Sequence, residues 1–173
     1  MANVGVYEAK VQLSRLLKGV QQGKRYTITN GRVPVADSAP ILQNFTKAGG
    51  DIISGYAGND FLPLISINGE PENESFAGQM APTKYLKECP YLTDVLASFG
   101  ASLGRTRLMR LSGGAEVTPH VDIHYYWRDR MRIHVPIVTQ PTVSFHCGGL
   151  TVNMAEGECW LFDTFSRHSV IND

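Results

Sequence analysis

The side chains best suited to chemistry in this sequence are two histidines and a carboxylate: His120, Asp122 and His168. Two imidazole nitrogens and one carboxylate oxygen can hold a ferrous ion on three sites and leave the opposite face open for reaction, as in 2-His-1-carboxylate iron sites. His120 and Asp122 stand two residues apart, and residues two apart on a strand point to the same side. The spacing therefore predicts that both can contact one ion.

A second pair with the same spacing, Arg132 and His134, lies on a predicted strand. These two residues alternate with the apolar Met131, Ile133 and Val135, so they share the face opposite the apolar one. The planar fork of an arginine matches a carboxylate. We therefore expect Arg132 and His134 to line a cavity that receives an anion.

These residues also have plainer interpretations. A His-x-Asp occurs often by chance, Arg132 and His134 could face solvent, and His168 could be a core histidine with satisfied hydrogen bonds. The order of the features favours a site: a His-x-Asp after a glycine turn, then a strand with two basic residues, then a distal histidine. His124 and His146 remain as alternative ligands.

From residue 105 onward the apolar residues recur with a period of two, and glycine turns separate the short segments. This pattern is typical of a mainly β domain, a sandwich, jelly roll or small barrel. Upstream, we expect a helix from Pro90 to Gly100 and a strand at Phe61–Ile67, which Pro63 would confine to a sheet edge. The predicted strands of the β domain include 105–111, 131–137, 150–154, 159–162 and 168–171.

The formal net charge of the 173 residues is zero, but the charge is unevenly distributed. Residues 1–40 carry six basic and two acidic side chains, a balance of +4, and the remainder carries ten and fourteen, a balance of −4. Such a change of sign indicates two units with different partners. Three dispersed cysteines, no signal peptide and no apolar run of membrane-spanning length indicate a cytoplasmic protein without a membrane segment.

The first forty residues predict a small unit of their own. An amphipathic helix is expected to end near Gly23, and Tyr26–Thr29 and Val33–Ala36 flank an Asn30-Gly31 turn, as in a hairpin. One helix and one hairpin cannot bury a core alone, so the unit must dimerise or pack on the rest of the chain. The apolar face of the helix comprises Ala9, Leu13, Leu16, Leu17 and Val20.

Two motifs of this segment, Val4-Gly-Val-Tyr-Glu-Ala-Lys10 and Ile28-Thr-Asn-Gly-Arg32, resemble the start of Phd/YefM-type antitoxins over about residues 3–40. The resemblance implies a homodimer that binds operator DNA. Clustered basic side chains release counterions from phosphates, although they could equally form a solvated helix face. The basic residues concerned are Lys10, Arg15, Lys18, Lys24 and Arg25.

The rest of the chain, about residues 52–173 and most clearly from 103, resembles the aspartyl/asparaginyl β-hydroxylase family. The resemblance implies a double-stranded β-helix (jelly-roll or cupin-like) and an iron(II)- and 2-oxoglutarate-dependent dioxygenase. The motifs that carry it are Leu108-Met-Arg-Leu-Ser-Gly-Gly-Ala-x-Val-Thr-Pro-His120-x-Asp122, Arg132-Ile-His-Val-Pro-Ile137, Gly157-Glu-Cys-Trp-Leu-Phe-Asp163 and His168-Ser-Val-Ile-Asn172.

By this resemblance His120, Asp122 and His168 would bind iron. His134 would contact a carboxylate of 2-oxoglutarate, and Arg132 would support it from the same face, while Trp160 and Asp163 would be structural. The implied reaction uses O2, converts 2-oxoglutarate into succinate and CO2, and hydroxylates a C–H bond of an amino-acid or peptidyl Asp/Asn-like substrate.

Family members continue past the distal histidine into a strand whose arginine pairs with 2-oxoglutarate, and this sequence ends at Asp173. We therefore expect an antitoxin-like module at 1–40 and a hydroxylase-like domain at 41–173 that lacks its last strand or strands, with Arg110 or Arg167 as possible substitutes. Two alternatives stay open: an antitoxin-type DNA-binding regulator with an inactive β domain, and a cupin-like metal-binding module without oxygenase activity.

Overall fold

The computed structural model describes residues 2–5, 26–29, 41, 52–54 and 57–173. The chain divides into two compact units, one of Asp37–Ala115 and one that joins Met1–Ala36 to Glu116–Asp173. The described residues are mainly β and form several antiparallel sheets, which confirms the predicted class and agrees with a jelly-roll-like domain. The sequence-based division into 1–40 and 41–173 stays a prediction, since most of residues 1–40 lie outside the described ranges.

Two N-terminal strands, β1 (Ala2–Gly5) and β2 (Tyr26–Thr29), pair in parallel. The strand predicted at Tyr26–Thr29 is thereby confirmed, although its parallel partner was not foreseen. The predicted helix around residues 9–20 and the second hairpin strand, Val33–Ala36, lie outside the described residues. The hairpin, the dimer and the DNA contact therefore stay predictions.

The unit Asp37–Ala115 contains an antiparallel sheet built around one long apolar strand, β4 (Asn59–Ile67). This strand pairs with β6 (Thr106–Leu111) on one side, and with β3 (Ile53–Ser54) and β5 (Met80–Pro82) on the other. A strand with neighbours on both sides can bury both faces, which explains its nearly continuous apolar sequence. Its buried apolar side chains are Phe61, Leu62, Leu64, Ile65 and Ile67.

The expectation that Pro63 places this strand at a sheet edge is wrong. Pro63 faces Arg107 on β6, and the register shifts between Pro63 and Ile65, where the next pair is Ile65 with Thr106. A proline cannot donate to the ladder, but an irregular register removes the need for that bond. The carbonyl of Pro63 remains satisfied, because the Thr83 hydroxyl donates to it at 2.8 Å.

Two short helices follow, α1 (Lys84–Lys87) and α2 (Pro90–Ser98). Pro90 suits the first helical position, because its missing N–H has no intrahelical partner there. Leu92 and Val95, three residues apart on one face of the predicted helix, are buried. Gly100 has φ +55°, which a glycine after a helix end adopts without strain. Within the described ranges, neither these helices nor any other reaches the length and apolar content needed to cross a membrane.

The unit that contains Glu116–Asp173 carries the candidate site on two sheets. In the first sheet the order is β10 (Leu150–Val152), β9 (Val143–Cys147), β12 (His168–Asn172) and β7 (Ala115–His120). In the second sheet β8 (Arg132–His134) pairs antiparallel with β11 (Trp160–Phe162). The strands predicted at 131–137 and 150–154 are confirmed, but each is only three residues long.

Four buried residues form a core cluster between these strands. They are packed against Cys147, Val152 and Val170, which are partly buried. Because the strand pairs β9/β12 and β8/β11 contribute to the same cluster, the cluster supports the side chains that the two sheets present to the site. Its members are Phe145, Met154, Trp160 and Phe162.

Candidate metal centre

The structure brings His120, Asp122 and His168 together. His120 Nε2 lies 3.9 Å from Asp122 Oδ1, and His168 Nε2 lies 3.8 Å from Asp122 Oδ2. One donor atom from each of the three residues lies within 4.8 Å of the other two. Two ligands at right angles, each about 2.1 Å from one ion, would be about 3 Å apart, so a small inward movement of each side chain is enough to reach a common ion.

His120 and Asp122 converge for a different reason from the one expected. Strand β7 ends at His120, so Asp122 lies beyond the strand and alternation does not set its direction. Instead, the backbone N–H of Asp122 donates to the carbonyl of the buried Thr164 at 3.0 Å. Thr164 lies in the turn that precedes β12, so this bond ties the carboxylate-bearing loop to the segment that leads into His168.

His168 is the first residue of β12 and is only 4% exposed. The preceding turn is organised by Asp163, whose carboxylate accepts from the Phe165 backbone N–H and from the Ser166 hydroxyl, both at 2.9 Å. The Ser166 carbonyl in turn contacts His168 Nδ1 at 2.9 Å. The position of the imidazole therefore depends on a turn that Asp163 holds.

Both histidines present Nε2 to the carboxylate in the same protonation form. His120 Nδ1 lies 2.8 Å from the Thr118 carbonyl, and His168 Nδ1 lies 2.9 Å from that of Ser166. A carbonyl oxygen can only accept, so Nδ1 donates in each ring, and Nε2 is the nitrogen left for a ligand bond when the ring is neutral. Histidines that ligate metals are typically fixed in this way by a hydrogen bond at the other nitrogen.

Two of the converging atoms, Asp122 Oδ2 and His168 Nε2, are buried; among the described residues His168 Nε2 has no hydrogen-bond partner, while Asp122 Oδ2 is ion-paired with Arg132. Buried polar atoms in proteins nearly always have a partner. A carboxylate oxygen and an imidazole lone pair are both electron donors, so a cation satisfies the two at once. The donor set thus fits a divalent metal ion, although the role of the three residues as ligands stays a prediction.

Arg132 lies directly beside this group. Its Nη2 is 2.7 Å from Asp122 Oδ2, so the two charges form a close ion pair. The guanidinium carbon lies 4.1 Å from the centre of the Trp127 ring and 5.8 Å from that of Phe162. Burial lowers the pKa of Arg132, and the Asp122 carboxylate opposes this shift. An arginine nevertheless keeps its charge at neutral pH.

His134 packs edge-on against two aromatic rings of the core. The centre of the His134 ring lies 4.8 Å from the centre of the Phe162 ring and 5.8 Å from that of the Phe145 ring. The pKa of His134 is lowered to about 3, chiefly by burial, with smaller contributions from the positive charge of Arg132 and from the neighbouring His168. His134 is therefore neutral at physiological pH and can exchange hydrogen bonds with a ligand without adding charge.

Burial also lowers the pKa of His168. The hydrogen bond to Ser166 and the Asp122 carboxylate act in the opposite direction, while His120 and Arg132 favour the neutral ring. A histidine must be neutral to donate its lone pair to a metal. The surroundings of His168 therefore favour the form that can bind an ion.

The alternative ligands are not part of this group. His124 Nδ1 accepts from the Tyr126 backbone N–H at the start of a 3-10 turn, Tyr125–Trp127. His146 Nδ1 contacts the Thr151 hydroxyl across the β9/β10 pair at 2.8 Å. Arg110, considered as a substitute anion ligand, pairs with Asp60 at 2.5 Å within the other unit.

Sequence reasoning missed three residues that shape the site: Trp127, Thr164 and Ser166. The last two act through backbone carbonyls, which any residue type provides, so their identity carries no signal. The pairing of the Trp127 ring with Arg132 joins two residues that no periodic pattern relates. The Trp127 ring close to a predicted anion-binding arginine was the available clue.

Fold and site together define a mainly β protein with a candidate 2-His-1-carboxylate centre. A family model described as aspartyl/asparaginyl beta-hydroxylase matches residues 75–173, more than half of the chain. The chain therefore belongs to the aspartyl/asparaginyl beta-hydroxylase family, as the motifs predicted. No curated protein matches the chain significantly.

Proposed function

We propose that this protein is an iron(II)- and 2-oxoglutarate-dependent dioxygenase that hydroxylates a C–H bond of an amino-acid or peptidyl Asp/Asn-like substrate. The observation that carries the proposal is the convergence of His120, Asp122 and His168, with the buried His168 Nε2 left without a hydrogen-bond partner among the described residues, in a member of a hydroxylase family. Two histidines and one carboxylate with open positions are the ligand set of this enzyme class.

In the proposed enzyme the three side chains hold iron(II) through His120 Nε2, His168 Nε2 and a carboxylate oxygen of Asp122. Bound iron together with 2-oxoglutarate and O2 supplies the oxidant, as 2-oxoglutarate becomes succinate and CO2 and one oxygen atom enters the substrate C–H bond. The chain's own contribution is to place the proton of each ring on Nδ1 and to aim both Nε2 atoms at one point, through the hydrogen bonds at Nδ1.

Arg132 and His134 are the proposed contacts for the cosubstrate carboxylate. Both residues alternate on β8 with the intervening Ile133, so they share one face of the strand. Arg132 offers positive charge, and its side chain is 25% exposed, so an anion can reach it. His134, kept neutral by its surroundings, offers a hydrogen bond to the same anion.

The aromatic rings beside these residues limit the access of water. Phe162 lies 5.1 Å from His168 and 4.8 Å from His134, measured between ring centres, and Phe145 is 4.9 Å from Phe162. The exclusion of water by these rings strengthens the electrostatic interaction of Arg132 with a bound anion. It also protects reactive species from side reactions with water.

The proposal is tested by measuring succinate formed from 2-oxoglutarate in aerobic buffer, with and without iron(II) and with free or peptidyl aspartate and asparagine as substrates. We expect iron-dependent succinate formation that His120→Ala and Asp122→Ala abolish. His146→Ala is the matched control, because His146 lies on β9 of the same unit and is outside the converging group.

Succinate formation that persists in His120→Ala would contradict the proposed ligand set. Stoichiometric iron binding at these residues, with no succinate under any condition, would instead favour a metal-binding module without oxygenase activity.

A further inference from the structure

Arg132 and a bound metal ion would need the same carboxylate. Arg132 Nη2 is 2.7 Å from Asp122 Oδ2, and His168 Nε2 lies 3.8 Å from that same oxygen. Asp122 is only 17% exposed, so these charges interact with little screening by water. A divalent cation held by the three proposed ligands would therefore lie close to a fixed positive charge.

Arg132 does not depend on Asp122 alone for its position. Its guanidinium lies over the Trp127 ring at 4.1 Å and near the Phe162 ring at 5.8 Å. Phe162 is its direct partner across the β8/β11 pair. The face of an aromatic ring attracts a guanidinium, and a metal ion bound to Asp122 would leave this attraction in place. The rings can thus keep Arg132 in place when the carboxylate is shared.

We propose that Arg132 is a built-in competitor for Asp122 that couples metal binding to anion binding, and that Trp127 is the positioning residue that makes this possible. The inference rests on the proposed function. A metal ion that takes up the charge of Asp122 leaves the charge of Arg132 unbalanced beside it. That charge then favours a carboxylate of the cosubstrate or substrate, and the Trp127 ring holds the guanidinium where the carboxylate can meet it.

Such a coupling is reciprocal by thermodynamic necessity: an anion on Arg132 strengthens metal binding by the same factor as the metal strengthens anion binding. The coupling also predicts opposite changes in metal affinity for two variants. Removing the charge of Arg132 removes the competitor and tightens metal binding, while removing the Trp127 ring leaves Arg132 more dependent on Asp122 and weakens metal binding.

The test is calorimetric titration of Mn²⁺ alone, as a redox-stable probe, into the full chain and its variants. For Arg132→Gln we expect an affinity roughly tenfold higher than that of the wild type, because one like charge beside the ion is removed. Arg132→Lys keeps the charge and should therefore not show the higher Mn²⁺ affinity expected of Arg132→Gln. The matched control is Arg130→Gln, since Arg130 lies over the Tyr126 ring at 4.0 Å in the same segment and should leave Mn²⁺ affinity unchanged.

Trp127→Leu should lower the Mn²⁺ affinity by roughly two- to fivefold, the size of a partly exposed cation–π contact. The double variant Arg132→Gln with Trp127→Leu should bind as Arg132→Gln does, because the ring acts only through the guanidinium. In a second titration, 2-oxoglutarate should bind Mn²⁺-loaded Arg132→Gln more weakly than the loaded wild type. General damage to the site would weaken the binding of both Mn²⁺ and 2-oxoglutarate. The proposal instead requires that Arg132→Gln bind Mn²⁺ more tightly and 2-oxoglutarate more weakly.

Two different failures can be told apart. The proposed function itself is contradicted if the wild type binds no Mn²⁺, or if His168→Ala binds Mn²⁺ as tightly as the wild type does. Wild-type binding that is lost in His168→Ala but is unchanged or weaker in Arg132→Gln overturns the coupling alone. If Arg132→Gln does not fold, as judged by circular dichroism, an unchanged or tighter Mn²⁺ affinity of Trp127→Leu overturns it equally.

Discussion

The two sides of the candidate site are held by different kinds of interaction. On the metal side, both histidines are fixed by the same short-range bond, from Nδ1 to the carbonyl two residues earlier, at 2.8 Å for His120 and 2.9 Å for His168. On the anion side, aromatic rings hold Arg132 and His134: the Arg132 guanidinium carbon lies 4.1 Å from the centre of the Trp127 ring, and the His134 ring lies 4.8 and 5.8 Å, between ring centres, from the core rings of Phe162 and Phe145.

This difference predicts different responses to mutation. The ligand histidines of the metal side are oriented by local backbone hydrogen bonds, so a change there should alter metal binding, with little change in global stability at the partly exposed His120. The residues of the anion side depend on the packing of Phe145 and Phe162, so a change there should affect stability and anion binding together. Substitutions on each side, and a change of pH, can test this contrast in order of decreasing effect.

Replacing a ligand on the metal side should have the largest effect. We expect His168→Ala to abolish detectable binding of Mn²⁺ or Zn²⁺ in calorimetry, because two remaining donors cannot complete the ligand set. His146→Ala, the control on the neighbouring strand, should bind the metal like the wild type. Equal affinity of His168→Ala and wild type would remove His168 from the site.

Truncating the core on the anion side should instead lower stability. Phe145 is buried and contacts Phe162, His134 and His168, and a buried Phe→Ala substitution costs about 3–5 kcal/mol. Denaturant unfolding of Phe145→Ala should therefore show a much lower midpoint than that of Phe165→Ala, since Phe165 is 47% exposed. Similar midpoints for the two variants would mean that the aromatic cluster does not support the site.

The turn before β12 offers a test of positioning without loss of a ligand. Asp163→Ala removes the acceptor of the Phe165 N–H and the Ser166 hydroxyl. The carbonyl that orients His168 then loses its support, and changes around metal ligands of this kind typically cost about 10–100-fold in metal affinity. The exposed Asp129, changed to alanine, is the control. Unchanged metal affinity in Asp163→Ala would show that β12 alone positions His168.

The effect expected to be smallest near neutral pH is the dependence of stability on pH. The pKa of His134 is about 3 in the folded chain and about 6.5 in an unfolded one. Between these values the unfolded state binds a proton that the folded state does not, so stability is lost as pH falls from about 6.5 toward 3. The unfolding midpoint of the wild type should fall more steeply between pH 7 and pH 4 than that of His134→Gln. Parallel slopes would contradict a neutral, buried His134.

The sequence predicted those features that depend on spacing or on the order of motifs. The alternation around Ile133 indicated that Arg132 and His134 share a face, and β8 presents them in that way. The order of His120, Asp122 and His168 indicated one group, and the three residues do converge. Period-two patterns likewise predicted most strands of the β domain, with ends that the structure shortens by a few residues.

The features that sequence could not predict depend on contacts between distant segments. Asp122 lies beyond the end of β7, and only its bond to the Thr164 carbonyl fixes the loop. Pro63 was expected at a sheet edge, but the register shift beside it allows a central strand. Local propensity reflects the backbone preference of a residue and its near neighbours. It carries no information about which strand will pair with it or which distant carbonyl will accept its hydrogen bond.

The proposed iron and 2-oxoglutarate site is tested most directly by an anaerobic titration of the full chain with Fe²⁺ and then with 2-oxoglutarate, followed by visible absorption. Chelation of 2-oxoglutarate to iron in this type of site gives a weak visible band. We predict that the band appears with the wild type and His146→Ala and is absent with His120→Ala and His168→Ala. A band of equal strength in His168→Ala, or no band in a wild-type protein that binds Fe²⁺ stoichiometrically, would contradict the proposed site.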